Sequence, residues 1–372
     1  MSETDRLFAS TEAFNFSAQN QKLFLAAIQE NFAHHYKNSS VYKNLCDLRG
    51  FTPSDLKTID DTPQIPHLFV SVLKKRKMLS VPEKDIVQLV TSSGTGGRKS
   101  ANYLDKPTLT RIKQIIWNIY QAFDMASRKE KANYLCFTYD PEHAQELGTA
   151  FSDKLLSDLT QVNRIFFALK FDPAKDDFYL DREGVFQALE EFSKSRLPLR
   201  ILGFPSFLYQ VLEECYKARN KTFAFGKRSF IITGGGWKTL ADQEIPKAEF
   251  REKIVFWLGI PRENIRDLYG LVEHGVPYCE CEKGNFHVPI YSRVFAREPL
   301  SLRLLPPGEF GLLHLVTPYL NSVPALSLLT SDWGRLLFSC PCGRTAPVLE
   351  LQGRAGVQKP PTCAISALEF LK

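Results

Sequence analysis

The chain has 372 residues, of which 44% are hydrophobic, enough for two or three domains or for one large domain with a satellite. The formal net charge is +6 and the charges are mixed along the sequence, a pattern that does not favour nucleic-acid binding. No signal-peptide pattern or membrane-spanning apolar run occurs, so we expect a cytoplasmic protein without membrane contact. The eight cysteines are then expected to be thiols, metal ligands or nucleophiles rather than disulfides.

The predicted elements begin with a helical N-terminal region over residues 1–60, where QNQKLFLAAIQENFAHHY has apolar residues at helical spacing. Residues 61–264 are expected to form an α/β nucleotide-binding core. In this core DIVQLVTSS predicts a strand that runs into a glycine-rich loop, and PTLTRIKQIIWNIYQAFDMAS predicts an amphipathic helix.

Apolar strand-like runs then alternate with helical ones. Strands are predicted at NYLCFTY, NRIFFALKF, LRILGF and RSFIITGGG, and helices at AQELGTAFSDKLLSDL, VFQALEEFSKS and SFLYQVLEECYKARN. This alternation indicates an α/β fold with mainly parallel strands. Residues 265–354 contain short strands split by turns, such as FGLLHLVTPY, and predict a smaller β-rich region. Residues 355–372 are expected to form a C-terminal arm that carries Cys363.

The segment VTSSGTGGRKS, residues 90–100, has the composition of a phosphate-binding loop. Glycines let the backbone approach an anion, hydroxyl groups donate to phosphate oxygens, and Arg98 and Lys99 add positive charge. The hydroxyl residues are Thr91, Ser92, Ser93 and Thr95, and the glycines are Gly94, Gly96 and Gly97. The spacing fits neither the Walker A loop nor the dinucleotide loop. A glycine-rich hairpin loop without a ligand is the alternative that this segment alone leaves open.

Five short motifs in this order resemble those of the adenylate-forming superfamily, which includes acyl-CoA ligases and firefly luciferase. They are TSSGTGGRK (residues 91–99), TGGGW (233–237), LYGLVE (268–273), LLTSDWGRL (328–336) and LQGRAG (351–356). The resemblance implies a large N-terminal adenylate-forming domain with ATP and Mg²⁺ as cofactors. It implies phosphate contacts from the first motif, adenine contacts from the second, Mg²⁺ near Glu273 and ribose contacts from Asp332. The other residues it places at the nucleotide are Gly235, Gly236, Tyr269, Gly270 and the hinge residue Arg354.

Two departures from the superfamily pattern affect the expected chemistry. Members usually continue into a smaller C-terminal lid domain with a catalytic lysine, and we expect that domain to be lacking here. The usual hinge reads Gly-Arg-x-Asp, whereas Ala355 and Gly356 follow Arg354. Lys238, next to Trp237, is the alternative source of the lysine function. A surface position for Lys238 is equally compatible with the sequence.

An adenylate-forming chain with IITGGGWK and a cysteine close to its C-terminus resembles the LuxE-type acyl-protein synthetases of bacterial luminescence. The resemblance implies a ligase that converts a fatty acid to acyl-AMP and transfers the acyl group to Cys363 as a thioester. It also implies a fatty acyl reductase of the LuxC type as partner. DLYGLVEHGVPYCECEKGNFHV is similar to phenylacetate-CoA ligases. Two alternative functions therefore stay open: a carboxylic acid–CoA ligase and a non-catalytic acyl-binding scaffold subunit. The sequence also leaves the oligomeric state open.

Two Cys-x-Cys pairs predict a structural zinc site in the β-rich region. Cys279 and Cys281 lie in YCECEKGNFH, which also contains His287, and Cys340 and Cys342 lie in FSCPCGRT. Because each pair is tighter than the common Cys-x-x-Cys, one cysteine need not be a ligand, and His287 can take its place. Four unligated thiols or a labile disulfide are the alternatives.

Overall fold

The computed structural model describes residues 1–91, 101–140, 143, 148–237 and 243–354. The α-helices in these ranges are α1 (Glu3–Ala9), α2 (Ala18–Asn38), α3 (Ser40–Arg49), α4 (Val70–Leu73), α5 (Lys106–Gln121), α6 (Gly148–Ser157), α7 (Arg182–Lys194), α8 (Pro205–Arg219) and α9 (Lys247–Leu258). Short 3₁₀ helices cover Ile59–Gln64, Glu83–Asp85 and Arg262–Asn264. Of the described helices, none combines the length and the apolar character that a bilayer crossing requires.

The described strands form two large sheets and one hairpin. They are β1 (Leu68–Phe69), β2 (Ile86–Thr91), β3 (Ala101–Asp105), β4 (Lys131–Tyr139), β5 (Gln161–Asp172), β6 (Asp177–Leu180), β7 (Leu199–Gly203), β8 (Phe230–Gly234), β9 (Ile265–Tyr269), β10 (Tyr278–Cys279), β11 (Phe286–His287), β12 (Arg293–Arg297), β13 (Gly311–Val316), β14 (Ser327–Leu337) and β15 (Val348–Arg354).

The first large sheet has seven strands in the order β10-β9-β8-β7-β4-β5-β6 and is parallel from β9 to β5. β4 lies inside this sheet and is buried along most of its length, as a continuous apolar run predicts. Apolar side chains of α7, α8 and α9 form one core with β4, β7 and β8. The predicted α/β fold with mainly parallel strands is confirmed. α9 was not predicted, because its apolar residues are spread around the helix rather than gathered on one face.

The second large sheet is antiparallel, in the order β11-β15-β14-β13-β12, with β1 added in parallel to β14. β14 is its longest strand, at 11 residues, and its pairing with β15 shifts register between Trp333 and Gly334, where β15 has one extra residue, Gln352. This bulge in β15 lies close to the pairing of Arg354 with Asp332, a predicted site residue.

The seven-stranded sheet continues past residue 264, where the sequence suggested a change of region. β9 pairs in parallel with β8, and β10 pairs antiparallel with β9. Residues 265–279 therefore extend the α/β sheet, and the antiparallel sheet begins at β11. β9 is as short as the strands that follow it, so its pairing partner distinguishes it and its length does not.

The N-terminal helices pack against both halves of the chain. The Asn31 side-chain amide donates to the Leu320 carbonyl (2.8 Å), and Arg111 of α5 forms an ion pair with Asp5 of α1 (2.8 Å). The apolar residues of the N-terminal helices share one large core with α5 and with residues that follow β13. Helices α1, α2 and α3 lie within residues 1–60.

Candidate functional site

The glycine-rich loop begins and ends on an antiparallel hairpin. Thr91, the last residue of β2, pairs with Ala101, the first residue of β3. The side chain of Asn102, next along β3, donates to the Val272 carbonyl (2.8 Å). This hydrogen bond places the base of the loop beside the turn that carries Glu273. The predicted phosphate-binding residues Ser92, Ser93, Gly94, Thr95, Gly96 and Lys99 lie outside the described residues.

The second predicted element lies at the carboxyl end of the parallel sheet, where open α/β sheets bind ligands. β8 ends at Gly234, which pairs with Leu268 of β9. Gly235 and Gly236 follow with φ of +78° and +65°, values that glycine adopts without strain. They turn the backbone sharply at the same edge at which β9 ends with Tyr269. Lys238 lies outside the described residues.

Tyr269 and Asp332 come from different sheets and meet at this edge. The Tyr269 hydroxyl donates to Asp332 Oδ2 at 2.7 Å, a hydrogen bond strengthened by the charge of the carboxylate. Asp332 is 5% exposed, and its backbone N–H donates to the Thr330 hydroxyl (3.0 Å). A carboxylate accepts several hydrogen bonds, so Asp332 is chemically suited to ribose hydroxyls. Gly270 follows Tyr269, and the backbone of Arg354 pairs with Asp332.

Glu273 lies in the turn after β9 and is 5% exposed. The next residue, His274, is fully buried, and its Nε2 is 2.8 Å from the Tyr278 hydroxyl, which is in turn 2.7 Å from the Ser292 hydroxyl. Burial lowers the pKa of His274 to about 3, so the imidazole is neutral at pH 7. These buried contacts fix the residue next to Glu273 in the turn. The part that Ser292 plays in them could not be predicted from sequence spacing.

Four of the five predicted metal ligands converge. The ligand atoms of Cys281, His287, Cys340 and Cys342 all lie within 4.8 Å of one another. The sulfur atoms of Cys281 and Cys340 are 3.7 Å apart, and Cys342 Sγ is 3.2 Å from His287 Nε2. Zinc–sulfur bonds of about 2.3 Å in a tetrahedron place two sulfurs about 3.8 Å apart. A disulfide requires about 2.05 Å, so the disulfide alternative does not fit Cys281 and Cys340.

The orientation of His287 suits a metal ligand. Its Nδ1 is 3.1 Å from the Ala346 carbonyl, which holds the proton on Nδ1 and leaves Nε2 with its lone pair toward the cysteines. Burial lowers the pKa of His287 and favours the neutral ring. Ala346 carries no sequence signal for this role, because its contribution is a backbone carbonyl.

Cys279 lies outside the four-residue cluster, so among the five candidate ligands it is the cysteine whose place His287 can take. β10 ends at Cys279, and Cys281 lies beyond it in the turn closed by Gly284. The Cys279 thiol instead donates to the Glu280 carbonyl at 3.6 Å. Burial raises the pKa of Cys279 to about 12, so its thiol stays protonated at pH 7.

The residue between the two cysteines anchors this segment to α9. Glu280 is buried and forms ion pairs with Lys247 (2.6 Å) and Arg251. It also accepts from the Asp267 backbone N–H at 2.8 Å. Burial raises the pKa of Glu280, and the two cations partly oppose that shift. No local sequence pattern marks this network, because its members are far apart in the chain.

Comparison with solved structures defines the fold class as that of the adenylate-forming ligases. A 2-hydroxyisobutyryl-CoA ligase in an open conformation with 2-HIB-AMP and CoA matches with a TM-score of 0.70 at 17% identity, covering 94% of this chain and 78% of that one. The same ligase in its thioesterification state also gives 0.70, at 18% identity, with 92% and 70% covered.

The chain belongs to the LuxE acyl-protein synthetase family, whose model matches residues 1–371. A long-chain-fatty-acid–luciferin-component ligase from Aliivibrio fischeri is 28% identical over 344 residues, which cover 90% of this chain and 84% of the relative. The Vibrio harveyi protein of that name is 26% identical over 340 residues, covering 89% and 83%. The predicted family is confirmed, and membership of a synthetase family places the chain among the ligases.

Proposed function

We propose that this protein activates a long-chain fatty acid with ATP and transfers the acyl group to its own Cys363 as a thioester. The observation that carries the proposal is the meeting of three elements at one sheet edge. These are the base of the glycine-rich loop, the glycine turn after β8, and the hydrogen-bonded pair Tyr269 and Asp332. The names of the two bacterial relatives support a long-chain acid as substrate.

The residues at this edge suit the first step, in which a carboxylate oxygen attacks the α-phosphorus of ATP. That attack forms the acyl–phosphate bond and releases pyrophosphate, so the protein mainly aligns the reactants and stabilises charge. Gly235 and Gly236 leave room for the adenine, and Asp332 would accept from the ribose hydroxyls. Mg²⁺ would neutralise triphosphate charge, and the carboxylate of Glu273 is an oxygen ligand of the kind it prefers. Lys99, and Lys238 as the alternative, would contact the phosphates.

In the proposed second step, the Cys363 thiolate attacks the acyl carbonyl carbon. The carbon–sulfur bond forms as the carbon–oxygen bond to AMP breaks, and AMP leaves with the electron pair. The thioester retains enough acyl reactivity for delivery to a reductase of the LuxC type, which would consume it. Cys363 lies outside the described residues, so its role is supported by the family and by its position near the C-terminus.

We also propose that Cys281, His287, Cys340 and Cys342 bind one Zn²⁺ in a closed, structural site. Three sulfurs and one imidazole nitrogen are the donor set of a Cys₃His site, and the 3.7 Å sulfur separation fits a tetrahedral zinc. The Nδ1 contact of His287 with the Ala346 carbonyl supplies the outer hydrogen bond typical of zinc-bound histidine.

The acyl-transfer proposal is tested with radiolabelled palmitate, ATP and Mg²⁺ in the absence of CoA, followed by a denaturing gel. We expect a labelled protein band that neutral hydroxylamine removes, as a thioester requires. Cys363→Ser should abolish the band. Cys215→Ser should retain it, because Cys215 is buried on α8, away from the candidate site.

Three outcomes separate the alternatives. Label that appears on CoA but never on the protein would select the CoA ligase. Absence of ATP–pyrophosphate exchange with the acid would select the non-catalytic subunit. A band that survives Cys363→Ser would place the acyl group on another residue and refute the proposed acceptor.

A further inference from the structure

The Cys/His cluster lies where two β-hairpins meet. The first hairpin joins β10 to β11, closes with a bridge between Glu280 and Phe286, and supplies Cys281 and His287. The second joins β14 to β15 and supplies Cys340 and Cys342 from its connection. β10 belongs to the seven-stranded sheet, whereas β11, β14 and β15 belong to the six-stranded sheet. A metal bound at the cluster therefore cross-links the two sheets.

One side of this cross-link leads directly to Tyr269. Tyr278, three residues before Cys281, pairs with Tyr269 across β10 and β9, and the two ring centroids are 5.7 Å apart. The Glu280 N–H also donates to the Asp267 carbonyl (3.1 Å), and the Asp267 N–H donates back to the Glu280 side chain (2.8 Å). A shift of Cys281 would therefore be transmitted to β9 and to the ring of Tyr269.

The other side leads to Asp332 along the pairing of β14 with β15, which a register shift interrupts once, between Trp333 and Gly334. β14 and β15 are paired from Leu337 and Val348, near the metal-binding connection, to Asp332 and Arg354 at the far end. Because the two strands stay paired on both sides of the shift, the position of the connection influences the inclination of the hairpin toward β9. The Tyr269–Asp332 hydrogen bond and the cluster are thus two ties between the same pair of sheets.

An ion pair also joins the two hairpins at the cluster. Arg344 lies 2.9 Å from Glu282, with 25% and 35% of the side chains exposed. Partly exposed ion pairs contribute little to stability. The ion pair is therefore expected to hold the two hairpins together less strongly than a metal ion bound by four ligands.

We propose that metal binding at Cys281, His287, Cys340 and Cys342 holds Tyr269 against Asp332 and thereby sets the affinity of the protein for ATP. The four ligands act as positioning residues and do not contact the nucleotide. This inference rests on the proposed nucleotide site and adds a dependence of that site on the metal.

A double-mutant cycle tests the proposal. ATP binding is measured by isothermal titration calorimetry for the zinc-loaded and the chelator-treated protein, each with Tyr269 and with Tyr269→Phe. We expect metal removal to raise the Kd for ATP about tenfold in the wild type, equivalent to about 1.4 kcal/mol. In Tyr269→Phe the same treatment should change the Kd less than about twofold, because the contact it disturbs is already absent.

Cys342→Ser provides a second way to remove the metal, since Cys342 is only partly buried and its replacement disturbs little packing. Circular dichroism and the Tm confirm folding of each sample, and re-addition of zinc to the chelated wild type should restore the Kd. Cys279→Ser is the matched control and should keep both the metal and the wild-type Kd.

Two results would overturn the inference while leaving the proposed function intact. One is an ATP affinity that is equal with and without the metal. The other is independent effects that multiply to about a hundredfold in the metal-free Tyr269→Phe protein. Failure of the zinc-loaded wild type to bind ATP at all would instead overturn the proposed nucleotide site, and this inference with it.

Discussion

Replacing Cys281 with serine is expected to remove the bound zinc, whereas replacing Cys279, two residues earlier, is not. Both thiols are fully buried, so each substitution places a hydroxyl in a comparable environment at a cost of about 1–3 kcal/mol. Only Cys281 belongs to the four-residue cluster. A difference in zinc content between the two variants therefore separates the ligand role from the cost of a buried hydroxyl.

The stability lost with the metal follows from the length of chain that the site closes. Cys281 and Cys340 are 59 residues apart, and a cross-link of that span lowers the entropy of the unfolded chain by about 14 cal/mol/K. This corresponds to about 4 kcal/mol at 25 °C. For 372 residues, an unfolding entropy of about 2.1 cal/mol/K per residue converts that loss to a Tm lower by about 5 °C.

The assay combines elemental analysis of untagged protein, prepared under reducing conditions, with a thermal unfolding scan. Wild type and Cys279→Ser should contain about one zinc per chain, and Cys281→Ser should contain little or none. The Tm of Cys281→Ser should lie about 5 °C below that of Cys279→Ser. Equal zinc content in the two variants, or a wild type without zinc, would show that Cys281 is not a zinc ligand.

Three further predictions concern the hydrogen bond to Asp332, the ion pairs of Glu280 and the buried histidines. Tyr269→Phe removes the donor to Asp332 and should weaken ATP binding at least tenfold by calorimetry, since a hydrogen bond to a charged group contributes about 1.5–3 kcal/mol; an unchanged Kd would contradict this. Glu280→Gln leaves Lys247 and Arg251 without their buried carboxylate, and urea denaturation should show a loss of about 3 kcal/mol; an unchanged midpoint would argue against a structural role. Stability should also fall as the pH drops below about 6.5, because burial lowers the pKa of several histidines in the fold and the unfolded chain then binds more protons. Each such histidine contributes up to about 1.4 kcal/mol per pH unit. The measurement compares denaturation of the metal-free protein at pH 7.5 and 5.5, so that loss of zinc cannot contribute, and greater stability at pH 5.5 would contradict the expected direction. The pKa is lowered for His35 (to about 3), His67 (to about 4) and His274 (to about 3), and also for His287 and His314.

Local sequence patterns predict most elements of the α/β half, α9 excepted, and they contain the site motifs in order. Continuous apolar runs such as NYLCFTY predict buried parallel strands because both faces of such a sheet are covered, and β4 and β7 lie where these runs predict. The resemblance of these ordered motifs to the adenylate-forming superfamily assigned Gly235, Tyr269 and Asp332 to one candidate site. The glycine turn after β8 can be predicted without knowledge of tertiary contacts, because the positive φ that glycine adopts is a local property of the backbone.

Which residues come into contact depends on the three-dimensional fold. Cys279 and Cys281 are both buried cysteines of one Cys-x-Cys pair, yet only Cys281 belongs to the cluster. The reason is that β10 ends at Cys279 and the chain then turns toward His287. Likewise, β9 resembles the short strands after it, but it pairs with β8 and so carries Tyr269 to the sheet edge opposite Asp332. Pairing and turning depend on residues distant in the chain, and periodicity within a local segment does not encode them.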